Sequence, residues 1–264
     1  MVTCGECGEV PTCPRCSVHL TYHSANGRLM CHYCGHSEPL PDACPSCGGA
    51  LNFLGYGTQK VEEELHAAFP GREILRMDTD TVSATQSHEK LLSRFEKERI
   101  PVLVGTQMVA KGLDFENVTL VGVLGADTSL YVDHYRAAER TFNLLTQVIG
   151  RAGRRDVAGR AIIQTYTPEN YVIDLASRQD YDGFYAMEIA ARKMMKYPPY
   201  ADLCLFGFVG QSEEVVREAA LRFLRLLRET ATAEYPDVPL IALDPTPATV
   251  AKVAGKYRYK VLVK

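Results

Sequence analysis

Cysteine spacing constrains this chain more than any other feature. Eight of its nine cysteines lie before residue 48, and all eight fall into CxxC pairs. A CxxC turn places two thiolates on one side of a tight loop, where they can occupy two corners of a tetrahedron around Zn²⁺. Disulfides or redox pairs would not explain four such turns in succession, so the pattern predicts two structural Cys4 zinc sites. The four turns are Cys4/Cys7, Cys13/Cys16, Cys31/Cys34 and Cys44/Cys47.

The spacing leaves the pairing of the four turns open. The first and second turns are separated by only five residues, which is cramped for a shared site. A nested pairing joins the two middle turns across fourteen residues, a ribbon-like spacing, and leaves the first and last turns for a second site. An interleaved pairing also remains compatible; we favour the nested one. It gives an inner site of Cys13, Cys16, Cys31 and Cys34 and an outer site of Cys4, Cys7, Cys44 and Cys47.

The residue after the second cysteine distinguishes one turn from the other three. Gly8, Gly35 and Gly48 let backbone N–H groups turn towards sulfur, whereas Ser17 follows Cys16. We call residues 1–54 the Cys-rich module.

The charge of this module argues against a phosphate-binding surface. Residues 1–50 hold two basic side chains, Arg15 and Arg28, and four acidic ones. A lysine-rich face, the usual footprint of nucleic-acid contact, is therefore lacking. We expect the module to dock on protein or to wedge into a duplex.

The whole chain has the composition of a soluble protein with about two domains. It has 264 residues, of which 46% are hydrophobic, and a net charge of -3, which decides nothing about nucleic acid. No apolar run approaches the roughly 18 residues of a membrane span, and the first residues do not read as a signal peptide. We therefore expect a cytoplasmic protein without membrane association.

Residues 55–180 alternate short apolar runs with helical patterns, which predicts a parallel α/β sheet with helices on both faces. Thr58 is a suitable N-cap for the first helix. The predicted helices cover residues 59–69, 87–98 and 133–149. The predicted strands cover residues 73–78, 101–107, 118–127 and 161–166.

Polar motifs follow two of these elements, where such sheets carry their chemistry. "GTQMVAKGLDF" follows the apolar strand residues 102–104, and "QVIGRAGRR" ends the helix at 133–149. In the second motif, Gln147, Arg151 and Arg154 can converge on a polyphosphate from a helix end, since guanidinium groups suit charge on a transferring phosphoryl group. A solvated basic turn is the simpler alternative.

At these two motifs the chain resembles motifs V and VI of superfamily 2 helicases. With the four CxxC turns ahead of them, the chain is similar over its whole length to the PriA family of replication-restart helicases. The resemblance extends to "GYGTQ" at 55–59, "RMDTDT" at 76–81, "DHYRAAER" at 133–140 and "MMKYPPY" at 194–200. Two departures are mild: "GLDF" follows the lysine where the family varies, and Gln59 stands where glutamate is common.

The resemblance implies an ATP-dependent 3′→5′ DNA helicase that recognises stalled or branched replication forks and initiates primosome assembly. The implied cofactors are two structural Zn²⁺ and ATP with Mg²⁺. The implied partners are forked and single-stranded DNA, primosome proteins and single-stranded DNA-binding protein, with the helicase itself a monomer.

Individual roles follow from the same resemblance. Arg151 and Arg154 would reach the ATP phosphates, with Arg154 the arginine finger, and Gln147 would help to place nucleotide and attacking water. The eight cysteines would map onto the family's two zinc sites in the nested pairing. The other implied contacts are Gly112, Asp114 and Gly150 to nucleotide, and Thr106 and Lys111 to DNA or to its coupling with ATP.

Two catalytic motifs of such helicases are not found in this sequence. It contains neither GxxxxGK[ST] nor a DExH motif in a strand context, and both belong to the first motor lobe. The 264 residues alone are therefore expected to be inactive. The alternative is a non-catalytic zinc-ribbon adaptor for DNA or protein with a vestigial motor lobe.

The expected architecture is α/β. It combines the two-zinc ribbon-like module at 1–54, inserted in a RecA-like helicase lobe 2 with a parallel sheet at 55–180, and a partial ferredoxin-like α+β domain at 181–264. In the last domain we predict strands at 200–210, 239–245 and 257–264 and a helix at 212–233, with Cys204 in the core. Its basic-aromatic segment, 252–260, could contact DNA or form an ordinary exposed strand.

Overall fold

A computed structural model describes residues 2–23, 26–53, 57–78, 88–107, 109, 118–153 and 159–264. The chain divides into two compact units, residues 1–55 with 192–264, and residues 56–191. Within the described ranges, no helix has the length and apolarity needed to cross a bilayer.

The Cys-rich module consists of five three-residue strands. β1 and β5 pair antiparallel, with Val2 opposite Phe53, and β2, β3 and β4 form an antiparallel sheet in that order. The buried cluster of the module is small, and half of its members are cysteines: Val2, Cys13, Cys16, Leu20, Leu29 and Cys31. The strands are β1 (Val2–Cys4), β2 (Thr21–His23), β3 (Arg28–Met30), β4 (Ser37–Pro39) and β5 (Leu51–Phe53).

The second unit is the α/β lobe that the sequence predicts. β6 pairs with β7 and β8 pairs with β9, and both pairings are parallel. The strands are β6 (Ile74–Met77), β7 (Val102–Gly105), β8 (Leu120–Val123) and β9 (Arg160–Ile163). The helices are α1 (Thr58–Ala68), α2 (His88–Lys97), α3 (Asp127–Leu130), α4 (Ala137–Ile149), α5 (Tyr171–Ser177) and α6 (Tyr181–Met195), whose last residues belong to the first unit.

Two expectations for this lobe need correction. The helix predicted at 133–149 begins only at Ala137, because residues 133–136 form turns in which the Arg136 N–H donates to His134 Nδ1 at 3.0 Å. The N-cap of α1 is Gly57 rather than Thr58, since the Thr58 hydroxyl donates to a carboxylate oxygen of Asp78.

Packing around α4 holds the lobe together. Phe142 is 2% exposed and stacks on Phe184 of α6 with ring centroids 4.1 Å apart and planes 10° from parallel. Leu145, one turn further along α4, packs in the same buried cluster as Val172 of α5. The apolar face of α4 thus fixes this helix, which leads into "QVIGRAGRR" at 147–155. We call this stretch the glycine-arginine motif and its described residues 150–153 the glycine-arginine turn.

Replacing Phe142 with alanine should lower the free energy of unfolding of this lobe by about 3–5 kcal/mol, because a stacked, fully buried ring leaves a cavity. Denaturant unfolding monitored by circular dichroism measures the change. Tyr166→Ala is the control, since that ring is 84% exposed and its loss should change stability by less than about 0.5 kcal/mol. Equal losses for the two variants would contradict the packing argument.

The C-terminal region is a mixed α/β domain. Its antiparallel sheet has the order β10-β12-β11, and α7 covers one face through Val216, Ala220 and Leu224, which pack against Val261. Its elements are β10 (Cys204–Gly210), α7 (Glu213–Glu234), β11 (Thr246–Val253) and β12 (Lys256–Val263).

Two expectations for this domain are wrong. Residues 239–245 form only a bridge, between Ala242 and Val263, and the strand lies instead at Thr246–Val253. That strand tolerates Pro247 because it lies at the edge of the sheet. Cys204 is exposed rather than in the core. In the segment 252–260, Tyr259 is buried and its hydroxyl donates to Glu213 at 3.1 Å, while contact of the segment with DNA stays a prediction.

Candidate zinc sites and nucleotide motif

The eight N-terminal cysteines gather into two clusters in the nested arrangement. In each cluster the four sulfur atoms lie within 4.8 Å of one another. The Sγ atoms of Cys4 and Cys47 are 3.4 Å apart in the outer site, and those of Cys13 and Cys34 are 3.6 Å apart in the inner site. A tetrahedron with Zn–S bonds of about 2.3 Å has edges of about 3.8 Å, so both clusters fit Zn²⁺. Four thiolates leave no position for water, which makes both sites structural.

Hydrogen bonds and burial set the acidity of the zinc-site thiols. The backbone N–H groups of Cys7 and Glu6 lower the pKa of the Cys4 thiol to about 6. Burial raises the pKa of the Cys16 thiol to about 12, although the hydrogen bond from the backbone N–H of Ala254 acts to lower it. Zinc binds thiolates, so its binding must displace protons and its affinity falls as the pH is lowered.

The glycine-arginine motif lies at the end of α4. Gly150 and Arg151 close the last turn, with their N–H groups donating to the carbonyls of Thr146 and Val148 at 3.0 and 3.1 Å. Gln147, one turn earlier, is exposed, and Arg151 is half-buried. The described part of the motif therefore holds Gln147, Gly150 and Arg151 within one helical turn; Arg154 lies outside the described residues.

One hydrogen bond attaches this turn to the residues before β8, and a second joins the starts of β8 and β9 to each other. The Gly153 N–H donates to the carbonyl of Val118 at 2.9 Å, two residues before β8, and the Arg160 N–H donates to Thr119 at 2.8 Å. The backbone of Gly153 is left-handed, with φ of 70°. The described part of the motif is thus held between the end of α4 and the residues before β8.

Thr106 lies at the carboxyl end of a strand, whereas the glycine-arginine turn is bonded near the amino end of one. Thr106 follows β7 directly, is exposed, and accepts the Val109 N–H at 3.0 Å through its carbonyl. The preceding position, Gly105, accommodates only glycine, because a Cβ there would lie 2.6 Å from the Met77 carbonyl oxygen. Lys111, Gly112 and Asp114 lie outside the described residues.

Two carboxylates that follow the apolar runs of β6 and β8 were missed by the sequence reasoning. Asp78 follows β6 and is 6% exposed; Arg76 Nε lies 3.2 Å from its Oδ2. Asp127 accepts hydrogen bonds from the Thr165 hydroxyl at 2.8 Å and the Tyr166 N–H at 3.0 Å. Desolvation opposes these hydrogen bonds, which nevertheless hold the pKa of Asp127 below its usual range. An acid directly after an apolar run was the available signal.

Three family models match successive parts of the chain. The PriA DNA helicase Cys-rich region domain matches residues 13–39, the helicase conserved C-terminal domain matches 50–156, and the primosomal protein N C-terminal domain matches 193–264.

Similar proteins match over the whole chain. Replication restart protein PriA of Bacillus subtilis (strain 168) is 48% identical over 264 residues, covering 100% of this chain and 32% of the relative. The protein of the same name from Synechocystis sp. is 43% identical over 268 residues, with the same shares of 100% and 32%. That of Chlamydia pneumoniae is 39% identical over 266 residues, or 100% of this chain and 35% of the relative. The chain thus spans about a third of the length of these curated relatives.

The parallel α/β lobe with its glycine-arginine motif, preceded by two Cys4 clusters, defines the second lobe of a helicase motor with a structural zinc module. The matches specify the kind of helicase. The chain belongs to the PriA family of replication restart proteins and corresponds to the C-terminal part of its members.

Proposed function

We propose that this chain supplies the Cys-rich module, the second motor lobe and part of the C-terminal domain of an ATP-dependent 3′→5′ DNA helicase. In this proposal the whole protein recognises stalled or branched replication forks and initiates primosome assembly. The supporting observation is the succession, in one chain, of a Cys-rich region, a helicase lobe and a primosomal C-terminal domain.

ATP binding is proposed as the role of the turn after α4. Arg151 and Arg154 would reach the phosphates of ATP·Mg²⁺ held by a first lobe, with Arg154 as the arginine finger. Gln147 would orient the nucleotide and attacking water, while Gly150, Gly112 and Asp114 would approach the nucleotide. The helix end supports this assignment because it fixes where Arg151 projects, and forked guanidinium donors stabilise charge on a transferring phosphoryl group.

DNA contact is proposed for the residues that follow the carboxyl end of β7. Thr106 and Lys111 would bind the DNA backbone or couple it to ATP hydrolysis. This assignment is supported by the position of Thr106, which is exposed directly after the carboxyl end of β7.

The proposed partners are forked DNA, single-stranded DNA, primosome proteins and single-stranded DNA-binding protein. The helicase would work as a monomer in the cytoplasm, where bacterial chromosomes are replicated. The relatives are replication restart proteins by name, which supports this setting.

The 264-residue chain alone should show no DNA-stimulated ATP hydrolysis, whereas a longer protein that joins it to the first motor lobe should hydrolyse ATP when forked DNA is added. A coupled phosphate-release assay measures both, and equal zinc content in the two preparations excludes misfolding. ATP turnover by the 264-residue chain would contradict the proposal that hydrolysis needs residues from both motor lobes. A longer protein that binds forks but never hydrolyses ATP would support the adaptor alternative instead.

A further inference from the structure

Three of the four CxxC turns close in the same way. In each, a glycine four residues after the first cysteine adopts a left-handed backbone and donates its N–H to the carbonyl of that cysteine. The φ values of these glycines are 75°, 72° and 74°. The bonds are Gly8 to Cys4 at 3.1 Å, Gly35 to Cys31 at 2.9 Å and Gly48 to Cys44 at 2.8 Å.

The fourth turn, at Cys13/Cys16, closes on a distant part of the same unit. Ser17 occupies the glycine position, and its N–H donates to the carbonyl of Lys252 at 2.9 Å. The Lys252 N–H donates in return to the Ser17 hydroxyl oxygen at 2.9 Å. The Gly255 N–H donates to the carbonyl of Arg15 at 2.8 Å. Three hydrogen bonds thus join this turn to the end of β11 and to the turn that connects it to β12.

A fourth bond reaches the zinc-site sulfur itself. The Ala254 N–H donates to Cys16 Sγ at 3.2 Å, across 238 positions of sequence. In the last turn the corresponding donor is local, because the Gly49 N–H donates to Cys47 Sγ at 3.4 Å. Val253 also packs against the buried cluster of the Cys-rich module.

The geometry of the hairpin presents this donor. Val253 pairs with Lys256, and the two residues between them have φ of 48° at Ala254 and 80° at Gly255, as a tight two-residue turn requires. A left-handed backbone costs a residue such as Ala254 about 1–2 kcal/mol, which the four hydrogen bonds to the Cys-rich module offset.

We infer that the β11–β12 hairpin forms part of the inner zinc site, with Ala254 a positioning residue that donates its N–H to the zinc-bound thiolate of Cys16. Such a bond disperses charge on sulfur and opposes its protonation and departure from the metal. Groups in this outer layer change metal affinity by about 10- to 100-fold when lost. The coupling between zinc binding and docking of the hairpin acts equally in both directions. Zinc in the inner site therefore also stabilises the docked position of the hairpin.

The test is zinc release from the loaded 264-residue chain to a chromogenic chelator, with cysteine alkylation and mass spectrometry assigning each phase to one site. Gly255→Val strains the turn without a clash, since the glycine has open space around its Cβ position. It should accelerate release from the inner site by about 10-fold and leave the outer site unchanged. Ser17→Ala, which removes one acceptor and spares the fold, should accelerate the same phase by roughly 3-fold.

The matched control is Gly71→Val, which strains a left-handed glycine with equally open surroundings in the other unit, with φ of 73°. It should leave both phases unchanged. In cobalt-substituted protein, Gly255→Val should also shift the thiolate-to-metal charge-transfer band of the inner site, which a purely packing role would not move. Equal acceleration at both sites, or unchanged release while hydrogen exchange shows the hairpin displaced, would overturn the inference.

Discussion

Replacing Arg154 with alanine in the longer protein should lower fork-stimulated ATP hydrolysis by about 10³-fold or more, the usual contribution of an arginine finger. Arg151→Ala should produce a loss of the same kind, because Arg151 directly follows the end of α4 and is assigned to the ATP phosphates in the proposal. Steady-state ATPase assays with saturating forked DNA measure both. ATP binding, followed with a fluorescent analogue, should remain largely intact, since the finger acts on charge that develops during transfer.

Arg178→Ala is the matched control for these arginines. It lies in the same lobe, is 59% exposed, and pairs with Asp174 one helical turn away. Its removal should leave hydrolysis unchanged, because an exposed pair of this spacing contributes little. If Arg154→Ala weakens fork binding as strongly as hydrolysis, that arginine is a DNA contact, and the nucleotide assignment fails.

Replacing Cys13 with serine should reduce the zinc content from two ions per chain to about one and disorder the inner part of the Cys-rich module. A module of this size buries too little apolar surface to fold without staples, and half of its buried cluster is cysteine. Structural zinc contributes about 10–16 kcal/mol of apparent binding free energy in comparable peptides, so its loss exceeds what the remaining core supplies. Elemental analysis and hydrogen exchange of β2, β3 and β4 measure the two effects.

Cys204→Ser is the control for this variant. Cys204 is exposed on β10 and belongs to neither cluster, so two zinc ions and the protection of the module should be retained. A single zinc ion per unsubstituted chain would contradict the two-site arrangement. So would a Cys13→Ser variant that keeps both ions.

Local patterns made much of this architecture predictable. The zinc clusters follow from ligand spacing, and α1, α2 and α7 each begin and end within about two residues of their predicted bounds, because apolar periodicity and turn residues act over a few positions. The glycine-arginine motif was visible for the same reason.

The features that were missed depend on residues far apart in sequence. β11 was placed too early because 239–245 is apolar, while the actual strand contains Pro247, which only an edge position accommodates. Thr58 bonds to Asp78 instead of capping its own helix, a choice that local propensity does not reveal. Ser17 broke the glycine pattern at one turn, yet nothing local indicated that Lys252 would be its partner.

The antiparallel pairing of β1 with β5 has a consequence for protein engineering. Val2 lies opposite Phe53, so the polypeptide enters and leaves the Cys-rich module side by side, about 5 Å apart. The roughly fifty residues of the module are therefore attached through two adjacent strands, as the loop of a β-hairpin is. A two-residue turn could take the place of the whole module. The module can be exchanged as a cassette between relatives, and Ser17 marks the contact with the β11–β12 hairpin that such a graft would have to restore.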